Sequence, residues 1–296
     1  MLLLLKSRIG NLTFQATSLI FSKRNKTPYL PVIYYSTKGC FSPAFLKPGS
    51  KRILPLVFHL FALTFYLSMS PYRVLIFDFD GTLCATEEAI LHTFRRTFEQ
   101  EGTTPPSDEK VKEGISTGGN LNTMLPFLHP ALSDDSSGQL LQEWVLKYRQ
   151  LYHTEGGALT TLFDGAEALF EQIQQQGLSC VVISNKGQQA IEQALEHFNL
   201  NKYFDLVIGD NPNLPMAKKP DPVAFQQVIL PRYPQFSLNQ FLMIGDTHAD
   251  LQFANNAGIP SCWAVFGYGA IDLCLAAAPT HTIHSLSELS QLLNSA

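Results

Sequence analysis

From Tyr72 onward, short runs in which nearly every position is apolar alternate with longer stretches whose apolar positions recur every three or four residues. The runs at 73–77, 179–183, 206–208, 241–244 and 261–265 have the length and continuity expected of strands buried on both faces. The stretches near 165–176, 187–198, 222–230, 249–257 and 285–294 carry helical spacing. Strand and helix in alternation is the pattern of crossover connections, which predicts an α/β fold: a Rossmann-like parallel sheet with helices on both faces.

The interval 87–160 is too long for one crossover. Its content is helical, with candidates at 87–101 and 138–152 flanking a middle that contains glycine and proline, and it reads as an inserted helical cap subdomain. The expected organisation is an N-terminal extension (1–68), a core domain (69–86 and 161–296) and the cap (87–160).

Charge divides the chain at a similar place. Residues 1–70 hold nine Lys or Arg and no Asp or Glu, whereas the remainder holds twelve basic and twenty-five acidic residues, so +9 and −13 sum to the net −4. So acidic a folded part has no electrostatic reason to hold nucleic acid, and none is expected as a partner. Within the extension, Pro28, Pro31, Pro43, Pro48 and Pro55 interrupt any long helix. The apolar run 53–69 would span only about 26 Å as a helix against roughly 30 Å of hydrocarbon, a borderline membrane anchor. Three readings of the extension stay open: an organelle transit peptide, a weak anchor, or translated upstream sequence with Met69 as the working start. Five cysteines without paired spacing suit a reducing compartment, and the cytoplasm is the expected location unless the extension is a transit peptide.

In an open parallel sheet the ligand site lies beyond the carboxyl ends of the strands. There stand Asp78-Phe79-Asp80-Gly81-Thr82-Leu83, then Ser184-Asn185-Lys186, then Gly245-Asp246-Thr247-His248-Ala249-Asp250, with Lys218-Lys219 ahead of Pro220-Asp221-Pro222. Two carboxylates about 4 Å apart at an effective dielectric near 20 repel by about 4 kcal/mol, so converging acids call for a cation. Magnesium suits hard oxygen ligands in a site shared with phosphate.

These motifs, in this order, resemble the four motifs of the haloacid dehalogenase superfamily, and within it phosphoglycolate phosphatase-like enzymes with a helical cap. The resemblance covers roughly residues 72–268. It implies a phosphoaspartate intermediate, with Asp78 as nucleophile, Asp80 as acid and base, and Ser184 and Lys219 as phosphate holders. It also implies magnesium held by Asp78, Asp246 and the Asp80 carbonyl. Asp250, one helical turn past Asp246, is expected to orient Lys219 or a metal-bound water. Thr82, Asn185 and the cap loop residues Gly118 and Gly119 are the candidate substrate-binding positions. Where relatives commonly continue the first motif with an Asp-Ser pair, Ala85-Thr86 stands here.

The chemistry is coherent with those residue types. A carboxylate can attack phosphorus to form an acyl phosphate, and a second one two residues on along an extended backbone lies on the same side, placed to protonate the leaving oxygen and then activate water. The expected function is a magnesium-dependent phosphatase acting on a small phosphorylated metabolite, 2-phosphoglycolate first, as a monomer or homodimer without membrane contact. The alternatives are a phosphosugar mutase or a pyrophosphate or nucleotide phosphatase. A non-catalytic scaffold would be expected to have lost one of Asp78, Asp80, Lys219 or Asp246, and all four are present.

Overall fold

The computed structural model describes residues 70–134, 136–213 and 216–294, together with the backbone of four strands nearer the N-terminus. The chain divides into two compact units, 1–67 and 68–296.

In the first unit, β1 (Leu2–Ile9), β2 (Leu12–Leu19), β3 (Val32–Thr37) and β4 (Cys40–Ala44) pair in sequence as an antiparallel sheet. The apolar pattern marks no strands in this part of the chain, where the prolines bear only on helices. Their positions are compatible with a sheet: Pro28 and Pro31 precede β3, and Pro43 lies in the edge strand β4, where a missing N–H costs least. The run 53–69 lies outside the described residues. Among the described residues no helix is long and apolar enough to cross a membrane.

The second unit opens with β5 (Val74–Phe77) and β6 (Cys84–Ala85). Four helices follow: α1 (Glu87–Gln100), α2 (Asp108–Ser116), α3 (Leu121–Leu128) and α4 (Gln139–Thr154). Next come β7 (Thr161–Leu162), α5 (Ala166–Gln176), β8 (Ser179–Gly187), α6 (Gln188–His197) and β9 (Leu206–Asp210). A π-helical turn, Phe225–Ile229, running into Leu230–Arg232, occupies the place of the helix expected at 222–230. The chain finishes with β10 (Phe241–Gly245), α7 (His248–Ala257), β11 (Ser261–Ala264), α8 (Ile271–Ala276), β12 (His281–Ile283) and α9 (Leu286–Asn294).

The main sheet has six parallel strands in the order β12-β11-β10-β5-β8-β9. Every residue of β5 is buried, with Leu75 and Phe77 in the core on one face and Val74 and Ile76 in the core on the other. That continuous apolar run is what a strand covered on both sides requires. Helices α5, α6 and α9 contribute Phe170, Ile191 and Leu289 to the first face, while the 225–229 turn and α7 contribute Phe225 and Phe253 to the second. The chain leaves β5 toward β8 on one side and pairs with β10 on the other, so the crevice at the end of β5 is the topological switch point.

The helical insertion has its own core. In α1, Ile90, Phe94 and Phe98 recur every four residues and pack on α4, with ring centroids 4.6 Å apart for Phe94 and Tyr148 and 4.9 Å for Phe98 and Trp144. Thr93 and Thr97 lie on the buried side of α1 and donate their hydroxyls to carbonyls one turn back. The insertion leaves and rejoins the sheet through β6 and β7, which pair antiparallel, Cys84 opposite Leu162 and Ala85 opposite Thr161.

Candidate active site

The backbone turns sharply after β5. Gly81 adopts φ +71°, and a Cβ there would come within 2.2 Å of Asp246 Oδ2, so only glycine lets the turn lie against that carboxylate. The carbonyl of Phe79 accepts the N–H groups of Leu83 and Cys84, closing the loop and presenting Asp78 and Asp80 at the strand end.

Asp78 is buried beside Lys219, whose ammonium lies 2.7 Å from Asp78 Oδ1 and 2.5 Å from Asp250 Oδ1. The same ammonium donates to the Ile183 carbonyl at 3.0 Å. Although close to Lys219, Asp78 Oδ1 receives no hydrogen bond. Burial first, then the charge of Asp250, push the Asp78 carboxyl up to about 7 against the opposing pull of Lys219. Burial and the charges of Asp250 and Asp78 likewise hold Asp246 well above the ordinary carboxylate range.

The carboxylates of Asp78, Asp246 and Asp250 converge, with one oxygen of each within 4.8 Å of the others. The Asp80 carboxylate, expected to act as acid and base, pairs with Lys186, its Oδ1 lying 3.0 Å from Nζ. Asp250 is fully enclosed. Its Oδ2 accepts from the Thr247 N–H and hydroxyl at 2.9 and 2.7 Å, capping α7, and its other oxygen holds Lys219. Asp250 thus contacts Lys219 directly, at 2.5 Å.

Thr82 departs from its expected role. It is fully buried and donates to Asp246 Oδ1 at 3.0 Å, so it contacts a site carboxylate instead of the cavity. The other oxygen of Asp246 accepts from the Tyr268 N–H at 2.7 Å.

A cavity of about 520 Å³ lies between the strand ends and the insertion. Asp78, Asp80, Ser184, Asn185, Lys219 and Asp246 line it from the sheet side, and Gly118, Gly119, Tyr148, Arg149 and Tyr152 from the insertion. Gly118 adopts φ +68°, and a Cβ there would come within 2.8 Å of Thr247 Oγ1, which shows how closely the cap loop approaches the sheet. Added atoms at Gly119 would instead meet Thr123 and Met124 of the insertion itself. The Asn185 side chain joins three segments, donating to the carbonyls of Gly118 (3.1 Å) and Lys219 (3.2 Å) and accepting from the Lys219 N–H at 3.0 Å. That leaves the side chain occupied with holding the loops together.

Lys186 and Tyr268 are functional neighbours that the motif reading passed over. Lys186 Nζ sits 3.9 Å from the ring centroid of Tyr152 on α4, so one side chain ties Asp80 to the insertion. Burial opposes the charge on Lys186, but Asp80 and the two tyrosines outweigh it and hold the ammonium firmly protonated. Its signal was its place directly after Ser184-Asn185. Tyr268 had none, since it lies in a loop beyond the last motif.

Buried carboxylates at the switch point of a parallel sheet, opposite an inserted helical unit across a cavity, are the layout of an α/β enzyme with its candidate active site at the strand ends. The chain belongs to the haloacid dehalogenase-like hydrolase family, whose sequence profile matches residues 75–264. It is 26% identical over 223 residues to the tyrosine-protein kinase PtkA of Mycobacterium tuberculosis, covering 75% of this chain and 72% of that one. It is 27% identical over 232 residues to a phosphoglycolate phosphatase of Vibrio parahaemolyticus, covering 76% and 98%. Among solved structures, a haloacid dehalogenase-like hydrolase from Bacteroides fragilis superposes with a TM-score of 0.65 at 25% identity, over 74% of this chain and 99% of the other.

Proposed function

We propose that this hydrolase is a magnesium-dependent phosphatase that cleaves a small-metabolite phosphomonoester through a phosphoaspartate, with 2-phosphoglycolate as its first candidate substrate. The observation that carries the reading is the buried Asp78 carboxylate, held beside Lys219 and open to the cavity, with Asp80 two residues further on. The Vibrio relative, matched over nearly its whole length, supports the choice of substrate.

The donor set fits a divalent cation. Three carboxylates face one ammonium; Asp250 is taken up by Lys219 on one oxygen and two Thr247 donors on the other, whereas Asp246 accepts one neutral donor on each oxygen and keeps a lone pair on each. Asp78 and Asp246 would therefore hold the ion. The resemblance adds the Asp80 carbonyl. When bound, magnesium supplies positive charge to the phosphoryl oxygens and offsets the repulsion among the acids.

The residues divide the work as follows. An Asp78 oxygen attacks phosphorus while the bond from phosphorus to the leaving oxygen breaks, and that oxygen takes a proton from the Asp80 carboxyl. Asp80 then takes a proton from water as the water oxygen attacks phosphorus. The bond to Asp78 breaks, and inorganic phosphate leaves. The Asp80 carboxylate lies 3.0 Å from the Lys186 ammonium, which holds it at the cavity wall. Lys219 donates to Ile183 and Asp250 and lies 2.7 Å from Asp78, so its positive charge stands beside the attacking carboxylate, where phosphoryl oxygens would gather. Ser184 also lines the cavity, its hydroxyl accepting the Lys186 N–H at 3.3 Å.

Rapid-quench kinetics with an aryl phosphate tests the assignment. Asp78→Asn is expected to form no phosphoenzyme. Asp80→Asn is expected to give a burst approaching one equivalent, because an aryl leaving group needs little protonation while hydrolysis of the acyl phosphate lacks its base. Labelled phosphoenzyme in the Asp78 variant, or unchanged turnover in the Asp80 variant, would overturn it.

A further inference from the structure

The cavity holds a cation that the phosphoryl chemistry does not use. Arg149, on α4, reaches across from the insertion to Asp210 at the end of β9, where Nη2 pairs with Asp210 Oδ2. Lys218 pairs with the other oxygen of the same carboxylate. One carboxylate is thus shared between two cations, so Arg149 does not have Asp210 to itself. Glu192, also on the wall, accepts a hydrogen bond from Gln188 at 2.7 Å, and His153 pairs with Gln193 at 2.9 Å. Neither is bonded to Arg149.

The Arg149 guanidinium is only half used. Its Nε is buried and, among the described residues, has no hydrogen-bond partner. Leaving a buried donor unpaired is unfavourable, so it marks a place where a partner is missing. The position suits a substrate group. Arg149 stands one helical turn before Tyr152, which touches Lys186. Its Nε lies near Gly187, three residues past Ser184, at 3.9 Å from where a Cβ would stand. A guanidinium presents parallel N–H groups that match a planar or tetrahedral oxyanion.

We infer that Arg149 recognises a negative charge on the leaving group, so the preferred substrates are phosphate compounds whose leaving group carries its own carboxylate or phosphate. The inference rests on the phosphatase reading and narrows it. In the free enzyme Asp210 shares Arg149 with Lys218. When substrate binds, its anion takes the Nε side of the guanidinium.

Steady-state kinetics of the full chain and its variants, with magnesium, tests this on 2-phosphoglycolate, pyrophosphate and glycerol 2-phosphate, whose leaving group is neutral. Arg149→Met is expected to cut kcat/KM for one of the two anionic substrates at least tenfold more than for glycerol 2-phosphate, mainly through KM, with Arg149→Lys recovering part of the loss. Whichever anionic substrate suffers more identifies the anion as carboxylate or phosphate. Asp210→Asn, which removes the competing carboxylate, is expected to leave KM for that substrate unchanged or lower. Equal losses on all three substrates, or an Asp210→Asn defect matching that of Arg149→Met, would make Arg149 a strut between insertion and core and overturn the inference. A separate binding measurement keeps the two readings apart: glycolate or pyrophosphate should raise the melting temperature of wild type more than that of Arg149→Met. Failure of that difference sinks the inference, whereas absence of turnover on every substrate sinks only the phosphatase reading.

Discussion

Asp246 is gripped from inside the core by Thr82 and Tyr268, one donor on each oxygen, and that grip decides how well it can serve a cation. The Thr82 hydrogen bond favours the charged carboxylate and works against the burial and like charges that raise its pKa. Replacing Thr82 with valine keeps the shape and removes the donor. The expected result is a magnesium affinity about tenfold weaker, equivalent to about 1.4 kcal/mol and within the range for a hydrogen bond to a charged group. Magnesium titration of the variant by calorimetry checks it, and an unchanged midpoint would mean that Tyr268 alone orients Asp246. The three acids at strand ends were legible because their spacing and order are set by chemistry shared with the family. Thr82 was misassigned because a hydroxyl next to a motif carries no mark of which way it points. Its burial and its partner Asp246 come from strands far apart in sequence.

At the level of elements, strands with continuous apolar runs and helices of ten residues or so were readable, and the failures lie in short pieces. β12 has three residues and α8 six, too few to show a period. The paired connections β6 and β7 have two each and depend on segments some eighty residues apart, which no local pattern reveals. The junction they form has an unusual cap. Thr86 at the N-terminus of α1 makes no side-chain capping bond, and the Tyr268 hydroxyl accepts the N–H groups of Thr86 and Glu87 instead, at 2.6 and 3.0 Å. Since the Tyr268 backbone also holds Asp246, one residue connects the acid cluster to the start of the insertion. Tyr268→Phe would leave those two N–H groups without an acceptor, at a cost of about 0.5–2 kcal/mol by analogy with losing an N-cap. Hydrogen exchange at residues 86–90 is therefore expected to quicken severalfold while exchange in β5 and β10 stays the same. Unchanged exchange at 86–90 would show that water replaces the hydroxyl at no cost.

Taken as a whole, the second unit concentrates unfavourable charge where it would otherwise have no reason to, and stability should report it. Asp78 and Asp246 both have pKa values raised by folding. A carboxyl with a raised pKa keeps a proton that the unfolded chain would release. Its stabilising contribution is therefore complete below the unfolded value near 3.8 and is lost as pH climbs through about 7. Lys219 is shifted upward from 10.5 and stays charged in both states across this window, so it does not change the slope. Without divalent metal, the melting temperature of the chain is expected to fall between pH 5 and pH 8. A bound cation favours the ionised acids and competes with their protons, so saturating magnesium should raise the melting temperature more at pH 8 than at pH 5 and flatten the profile. The measurement is a thermal melt in chelator and in magnesium at each pH. A chelated protein that grows more stable from pH 5 to pH 8, or a magnesium gain independent of pH, would show that these carboxyls are not the buried, mutually repelling acids the strand ends bring together.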